Sequence, residues 1–208
     1  MAIYVAVALI SYLLGSVPFG YLLVRIFRGA DIRQTGSGNI GATNVARTGA
    51  KGLALATLLL DAGKGLLAVF AAHLIYGAAG GADPRTQYVL MSLAAVFAIS
   101  GHVFPVWLKF RGGKGVAASV GAYLLIAPIA LLLSAAVFLA LALTFRFISL
   151  ASIIAITLFP VFVHVLYPQH PEVLPFIVAA AAVIVVRHRG NIRRLLAGTE
   201  PRFGASPR

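Results

Sequence analysis

The sequence predicts an all-α, polytopic membrane protein: a bundle of seven transmembrane helices, N-terminus outside and C-terminus cytoplasmic. Three observations carry this. Of 208 residues, 61% are hydrophobic and 11% charged, with a mean hydropathy of +0.97, more apolar surface than a soluble domain of this size could hide. Apolar runs recur that are long enough to cross a hydrocarbon core of roughly 30 Å. Finally, fifteen of the 17 Lys and Arg fall in 25–51, 109–114, at Arg146 and in 187–208. Those segments share one side of the membrane only if the chain crosses seven times, and the positive-inside rule makes that side the cytoplasm.

The first span, 2–23, carries no charge. No basic residue precedes it and no small-residue cleavage site follows, so it reads as an uncleaved span. Pro18 and Gly20 predict a kink at its inner end. The second span, 53–76, contains Asp61 and Lys64, and a Gly-rich link leads to the third at 88–107. The apolar run 116–145 would rise roughly 45 Å as one helix, so Pro128 divides it into spans at 116–127 and 129–145. A turn at 146–149 precedes the sixth span, 150–167, and the prolines of YPQHPEV make another turn. A short seventh span, 173–186, leads to a basic tail whose last eight residues, 201–208, are expected to be disordered. With no linker in sight, residues 1–208 read as a single integral-membrane domain.

Composition also limits the chemistry. There is no cysteine, which excludes thiolate catalysis, thioester intermediates and disulfides. The net charge of +12 would suit nucleic acid, anionic lipid or an anionic substrate. Its concentration in the loops and tail at one face of the membrane points to lipid and small anions, not nucleic acid.

Three polar segments interrupt the apolar pattern. GSGNIGATNVAR, 36–47, is a loop with little side chain in the way: Gly36, Gly38, Gly41 and Ala42 let a ligand approach the main chain. Ser37, Asn39, Thr43 and Asn44 add neutral donors, and Arg47 adds a planar cation suited to phosphate. An ordinary polar turn would be the preferred reading were the loop alone. In HVFPVWLKFRGGKGVA, 102–117, Lys109, Arg111 and Lys114 accompany Gly112, Gly113 and Gly115. The segment opens a helix at Val116, so its exposed N–H groups would face an anion. The Walker A spacing is missing, which argues against nucleotide hydrolysis. His102 begins this segment, with a packed or capping role as a fair competitor to phosphate contact. The third segment, RHRGNIRRLLAGTE, holds His188 close to Asn191, candidates for binding a phosphate or orienting an oxygen. Glu200 is its only carboxylate, best read as the structural partner of a nearby Arg.

Asp61 and Lys64 stand one helical turn apart in DAGKG. Such charges normally pair toward the bundle interior, so a structural ion pair is as good a reading as a substrate contact, and Lys64 could snorkel toward a phosphate site. His73, His164 and His170 are assigned no role. No His has an Asp five positions later, and no Gly-x-Ser-x-Gly elbow occurs, leaving no evident general base or Ser nucleophile for acyl chemistry.

In order and spacing, GSGNIGATNVAR, GHVFPVWLKFRGGKGVA and HRGNIRRLLAGTE resemble the three cytoplasmic motifs of the PlsY family, bacterial inner-membrane acyl-phosphate:glycerol-3-phosphate acyltransferases. The resemblance covers essentially the whole chain, DAGKG included. It implies transfer of a fatty acyl group from acyl phosphate to the sn-1 hydroxyl of glycerol 3-phosphate, giving lysophosphatidic acid and phosphate, a step of phospholipid biosynthesis. Neither acyl-CoA nor acyl carrier protein would be the donor, and no cofactor or metal is implied. Ser37, Arg47, Lys109, His188 and Asn191 would grip the phosphates or polarise the acyl carbonyl. Gly112, Gly113 and Gly115 would shape a loop resembling one that binds glycerol 3-phosphate. An upstream enzyme forming acyl phosphate is a possible partner. Two rivals are an organic-phosphate transporter and a lipid-binding scaffold. The first usually shows inverted repeats meeting at the midplane, and no internal repeat is visible. The second would not need paired Asn, Ser and ordered glycines.

Overall fold

The computed structural model describes residues 1–204, and their regular structure is entirely helical. The helices are α1 (Ala2–Ser16), α2 (Phe19–Arg28), α3 (Ala42–Arg47), α4 (Lys51–Ala78), α5 (Pro84–Val103), α6 (Val116–Tyr123), α7 (Pro128–Phe145), α8 (Ile148–Leu166), α9 (Leu174–Arg187) and α10 (Arg189–Leu196). All seven stretches expected as spans are helical over most of their length. Among the described residues, five helices are long and apolar enough to cross a membrane, with α1–α2 counted as one. Pro171–Arg187 makes a sixth if taken with α10, from which it is bent by 56°. The eight residues of α6 rise about 12 Å, less than half of a bilayer core.

The chain forms two compact units, Met1–Ile126 and the part from Ala127 onward. In the first, α1 packs on α5 and α4 packs on α6, each pair through reciprocal glycines. A Cβ on Gly15 would strike the Ala98 carbonyl, and one on Gly101 would strike the Tyr12 carbonyl. Gly65 meets the Ala118 carbonyl in the same way, and Gly121 meets that of Ala62. Small residues let backbones approach this closely where lipid supplies no hydrophobic drive for helix association. The expected kink is a full break: α1 ends at Ser16, and α2 restarts after Pro18. Asp83 caps α5, accepting hydrogen bonds from the N–H groups of Arg85 and Thr86, with Pro84 in the first turn.

In the second unit α7 and α8 form a helical hairpin joined at Arg146, which takes a left-handed backbone (φ 61°). The Ile129 N–H at the start of α7 donates to the Tyr167 phenol (3.1 Å). Pro160 lies inside α8, a position at which the sequence reading continued the helix unbroken. The tail differs from expectation. Residues 201–204 are docked on the α7–α8 turn: Phe203 N–H donates to the Arg146 carbonyl (2.6 Å), Arg146 Nε donates to the Phe203 carbonyl (3.1 Å), and the Arg202 guanidinium lies over the Phe147 ring. The rest of the expected disordered tail, 205–208, lies outside the described residues.

Candidate active site

The first polar segment is built around Asn44, which is buried. Its Oδ1 accepts from Ser37 N–H (2.9 Å), and its Nδ2 donates to the carbonyls of Ile32 (3.2 Å), Thr35 (3.0 Å) and Asn39 (2.8 Å). The side-chain amide supplies an acceptor oxygen and two donor hydrogens from one short group. Gly36 and Gly38 have positive φ, 56° and 68°, and a Cβ on Gly36 would run into Asn44 Oδ1. Residues 42–47, expected as loop, are helix α3. Asn39 Oδ1 accepts from Gly41 N–H (2.8 Å) just ahead of it, and α3 ends in exposed Arg47. Ser37 is exposed as well, while Asn39, Ala42 and Thr43 are half-buried.

Beneath the loop lies an apolar cluster of Val24, Ile32, Ile40, Val45, Ala50, Ala54 and Leu108. Burying a side chain such as Ile32 or Val45 contributes about 1.5–3 kcal/mol. Leu108 belongs to the second segment, so the first two motifs share one core. Just outside it Asp31 and Arg33 pair through several hydrogen bonds, the closest 2.6 Å. The side-chain bond to Arg33 pulls the Asp31 carboxyl down to about 2, so the carboxylate nearest the loop stays charged and already neutralised.

After α5 the second segment makes a 3-10 turn at Val106–Leu108 and then two left-handed residues, Lys109 (φ 53°) and Phe110 (φ 61°). A bulky residue such as Phe rarely adopts this conformation. Lys109 stands exposed at the turn. The chain then doubles back onto the end of α5: Gly112 N–H donates to the Val103 carbonyl (3.1 Å) and Gly113 N–H to the His102 carbonyl (3.0 Å). A Cβ on Gly112 would strike the His102 carbonyl and Pro105, and one on Gly113 the His102 ring. Gly115 (φ 92°) then starts α6, and Lys114 is half-buried beside it.

These bonds revise one expectation. The N–H groups of Ser37, Gly38, Gly41, Gly112 and Gly113 all donate inside the protein, so these glycines and loop amides set the shape of the two loops. The groups the loops hold outward are side chains: Ser37, Arg47 and Lys109.

Asp61, Lys64 and His102 come together below this surface, each side chain 3% exposed. Lys64 Nζ is 2.8 Å from Asp61 Oδ1, and His102 Nδ1 is 3.4 Å from the same oxygen. Lys64 also donates to the Val17 carbonyl (2.7 Å) and lies over the Phe19 ring, at the α1–α2 break where carbonyls lack helical partners. The ammonium is held by these groups, the ion-pair reading of the two that the sequence offered for Asp61 and Lys64.

The third segment lies in the second unit. His188 is buried between α9 and α10, and its Nδ1–H donates to the Ile184 carbonyl (2.8 Å), which fixes the proton on that nitrogen in the neutral ring. Asn191 Nδ2 donates to Glu200 Oε1 (2.6 Å), Ser149 Oγ donates to the same oxygen (2.6 Å), and Arg194 Nε donates to Oε2 (2.7 Å). Burial would raise the Glu200 carboxyl, but these three donors outweigh it and hold it below the ordinary carboxylate value. Glu200 therefore has the expected Arg partner and also orients Asn191, whose NH₂ must face the carboxylate. Ser149 was not foreseen: it is one hydroxyl at the end of the expected turn 146–149, with no local signal of a partner 51 positions on.

The family described as glycerol-3-phosphate acyltransferase matches residues 5–198. The chain is 48% identical over 197 residues to the glycerol-3-phosphate acyltransferase of Agrobacterium fabrum (strain C58), covering 95% of this chain and 90% of that protein. It is 46% identical over 200 residues to the enzyme of that name from Thermosynechococcus vestitus, covering 96% and 94%. Among solved structures it is similar to PlsY, an integral membrane glycerol 3-phosphate acyltransferase. Its glycerol 3-phosphate form aligns with a TM-score of 0.85 at 36% identity, covering 97% of this chain and 96% of that one. Its lysophosphatidic acid form aligns at 0.82 and 35%, covering 97% and 95%.

Proposed function

Because the chain belongs to the glycerol-3-phosphate acyltransferase family, we propose that it moves a fatty acyl group from acyl phosphate to the sn-1 hydroxyl of glycerol 3-phosphate. The observation that carries this reading is the pair of loops on one apolar cluster, presenting Ser37, Arg47 and Lys109 while the neighbouring Asp31 is already paired. Two anionic substrates suit such a surface. The donor and the sn-1 position rest on the resemblance of the three motifs. From it come the roles of Arg47 and Lys109 on phosphate, of Ser37, His188 and Asn191 on phosphate or the acyl carbonyl, and of Gly112, Gly113 and Gly115 in the glycerol 3-phosphate loop.

The chemistry needs positioning more than a strong base. The glycerol oxygen attacks the acyl carbon, the bond from that carbon to the phosphate oxygen breaks, and the hydroxyl proton passes to a phosphate oxygen of the donor. Lysophosphatidic acid and inorganic phosphate leave. Cations that stabilise the tetrahedral oxyanion and the departing phosphate lower the barrier. No cofactor is called for, and an enzyme forming acyl phosphate must supply the donor.

The chain acts as one domain in the bacterial inner membrane, crossing it seven times with the N-terminus outside and the motifs facing the cytoplasm. The distribution of cations supports this. So does the burial of Gly112, Gly113 and Gly115 before α6 and of Ile126 and Ala127 after it. Irregular backbone is tolerated at membrane depth where protein covers it, as at Gly112, Gly113, Ile126 and Ala127, while Leu124 and Leu125 turn exposed apolar side chains outward.

The test is to incubate the purified protein in lipid with palmitoyl phosphate and glycerol 3-phosphate, without added metal, and to follow phosphate release. Release that needs both substrates, yields lysophosphatidic acid and disappears in Arg47→Ala is the expected result. Acceptance of palmitoyl-CoA instead would overturn the donor, and silence with either donor would overturn the reaction.

A further inference from the structure

We infer that Asp61 and Lys64 are positioning residues for the glycerol 3-phosphate loop, acting on Gly112 and Gly113 through His102. This deepens the proposed function and rests on its assignment of that loop. A pair that served only to orient α4 would need no third group. Here His102 Nδ1 approaches Asp61 Oδ1 to 3.4 Å, the oxygen that Lys64 reaches at 2.8 Å. The other edge of the ring, at Nε2, faces Gly113 so closely that no Cβ fits between them, and the His102 and Val103 carbonyls receive both glycine N–H groups. The place of the loop therefore follows the place of the ring, and the ring lies against Asp61 by a close electrostatic contact of two buried groups, not an aligned hydrogen bond. Lys64 ties the assembly to the Val17 carbonyl at the α1–α2 break, so the loop is referenced to helices of the membrane frame.

The experiment uses the full chain in lipid and measures kcat, both KM values and thermal unfolding for His102→Ala, Gly113→Ala and the double variant. Gly113→Ala is expected to raise KM for glycerol 3-phosphate about tenfold or more, since small misplacements of binding groups are costly, while KM for palmitoyl phosphate stays within about twofold. Without the ring the added methyl has room, so the double variant should lie within about threefold of His102→Ala alone. Asp61→Asn with Lys64→Met removes both charges together, an exchange that buried pairs often tolerate, and should raise the same KM about fivefold in a folded protein. Effects of 102 and 113 that simply multiply, or wild-type KM values in the neutral pair, would overturn the inference. If wild-type protein makes no lysophosphatidic acid, the proposed function fails separately. The unfolding cycle of 102 and 113 then decides the tether alone, coupling supporting it and additivity overturning it.

Discussion

Asn44 shows how a residue suited to ligand binding can be used up by the fold. The sequence offers it as one more neutral donor in a glycine-rich loop. In the structure all its hydrogen bonds are made to its own loop and to the turn before it, because a six-residue helix places it under the glycines. Asn44→Ala removes the acceptor of Ser37 N–H and the donor to the Asn39 carbonyl, while the Ile32 and Thr35 carbonyls keep the N–H groups of Thr35 and Gly38; each hydrogen bond lost costs about 0.5–1.5 kcal/mol. Thermal unfolding should fall by several degrees, and kcat/KM should drop at least about tenfold as Ser37 loses its place. Unchanged values in both would show that the loop holds its shape without this residue. Lys64 was legible only in part. Its spacing from Asp61 gave the ion pair, but nothing local could reveal the Val17 carbonyl 47 positions earlier or His102 far downstream.

Among the elements, the long helices were legible to within a few residues because apolar runs end at charge, Gly or Pro. What stayed hidden was short or defined by a distant partner. Six residues are too few for α3 to display a helical period, and the tail at 201–204 is ordered by Arg146 and Phe147, more than 50 positions away. The glycines of DAGKG give the plainest contrast. Gly65 abuts the Ala118 carbonyl, whereas a Cβ on Gly63 meets nothing within 4 Å. Gly65→Ala should therefore force α4 from α6 and lower thermal unfolding, by about 1–3 kcal/mol in the manner of overpacked cores. Gly63→Ala should be neutral or up to about 1 kcal/mol stabilising through helix propensity. Equal effects at the two positions would refute the close α4–α6 crossing.

For the whole molecule the open quantity is the number of crossings, which turns on α6. The natural chain has no cysteine, so single cysteines can be placed on an unaltered background and probed with an impermeant maleimide in intact bacteria. Ala82→Cys and Gln169→Cys should label from outside, while Gln34→Cys and Ala197→Cys should label only after lysis. Labelling of Gln34→Cys and Ala197→Cys from opposite sides would mean that 112–127 does not cross. The clustering of cations sets the expected orientation that this labelling tests, whereas the brevity of α6 did not show because the residues that follow it, 124–127, are just as apolar. The Asp61–Lys64 pair also bears on how the protein is made. An isolated charge at the centre of a nascent helix resists entry into the bilayer by about 2.5–3.5 kcal/mol. Synthesis from the N-terminus delivers α1 and α2 first, so the Val17 carbonyl and the Phe19 ring already wait in the bilayer when α4 leaves the ribosome. A permuted gene that delivered α4 ahead of them would hand the insertion machinery a lysine without its hosts.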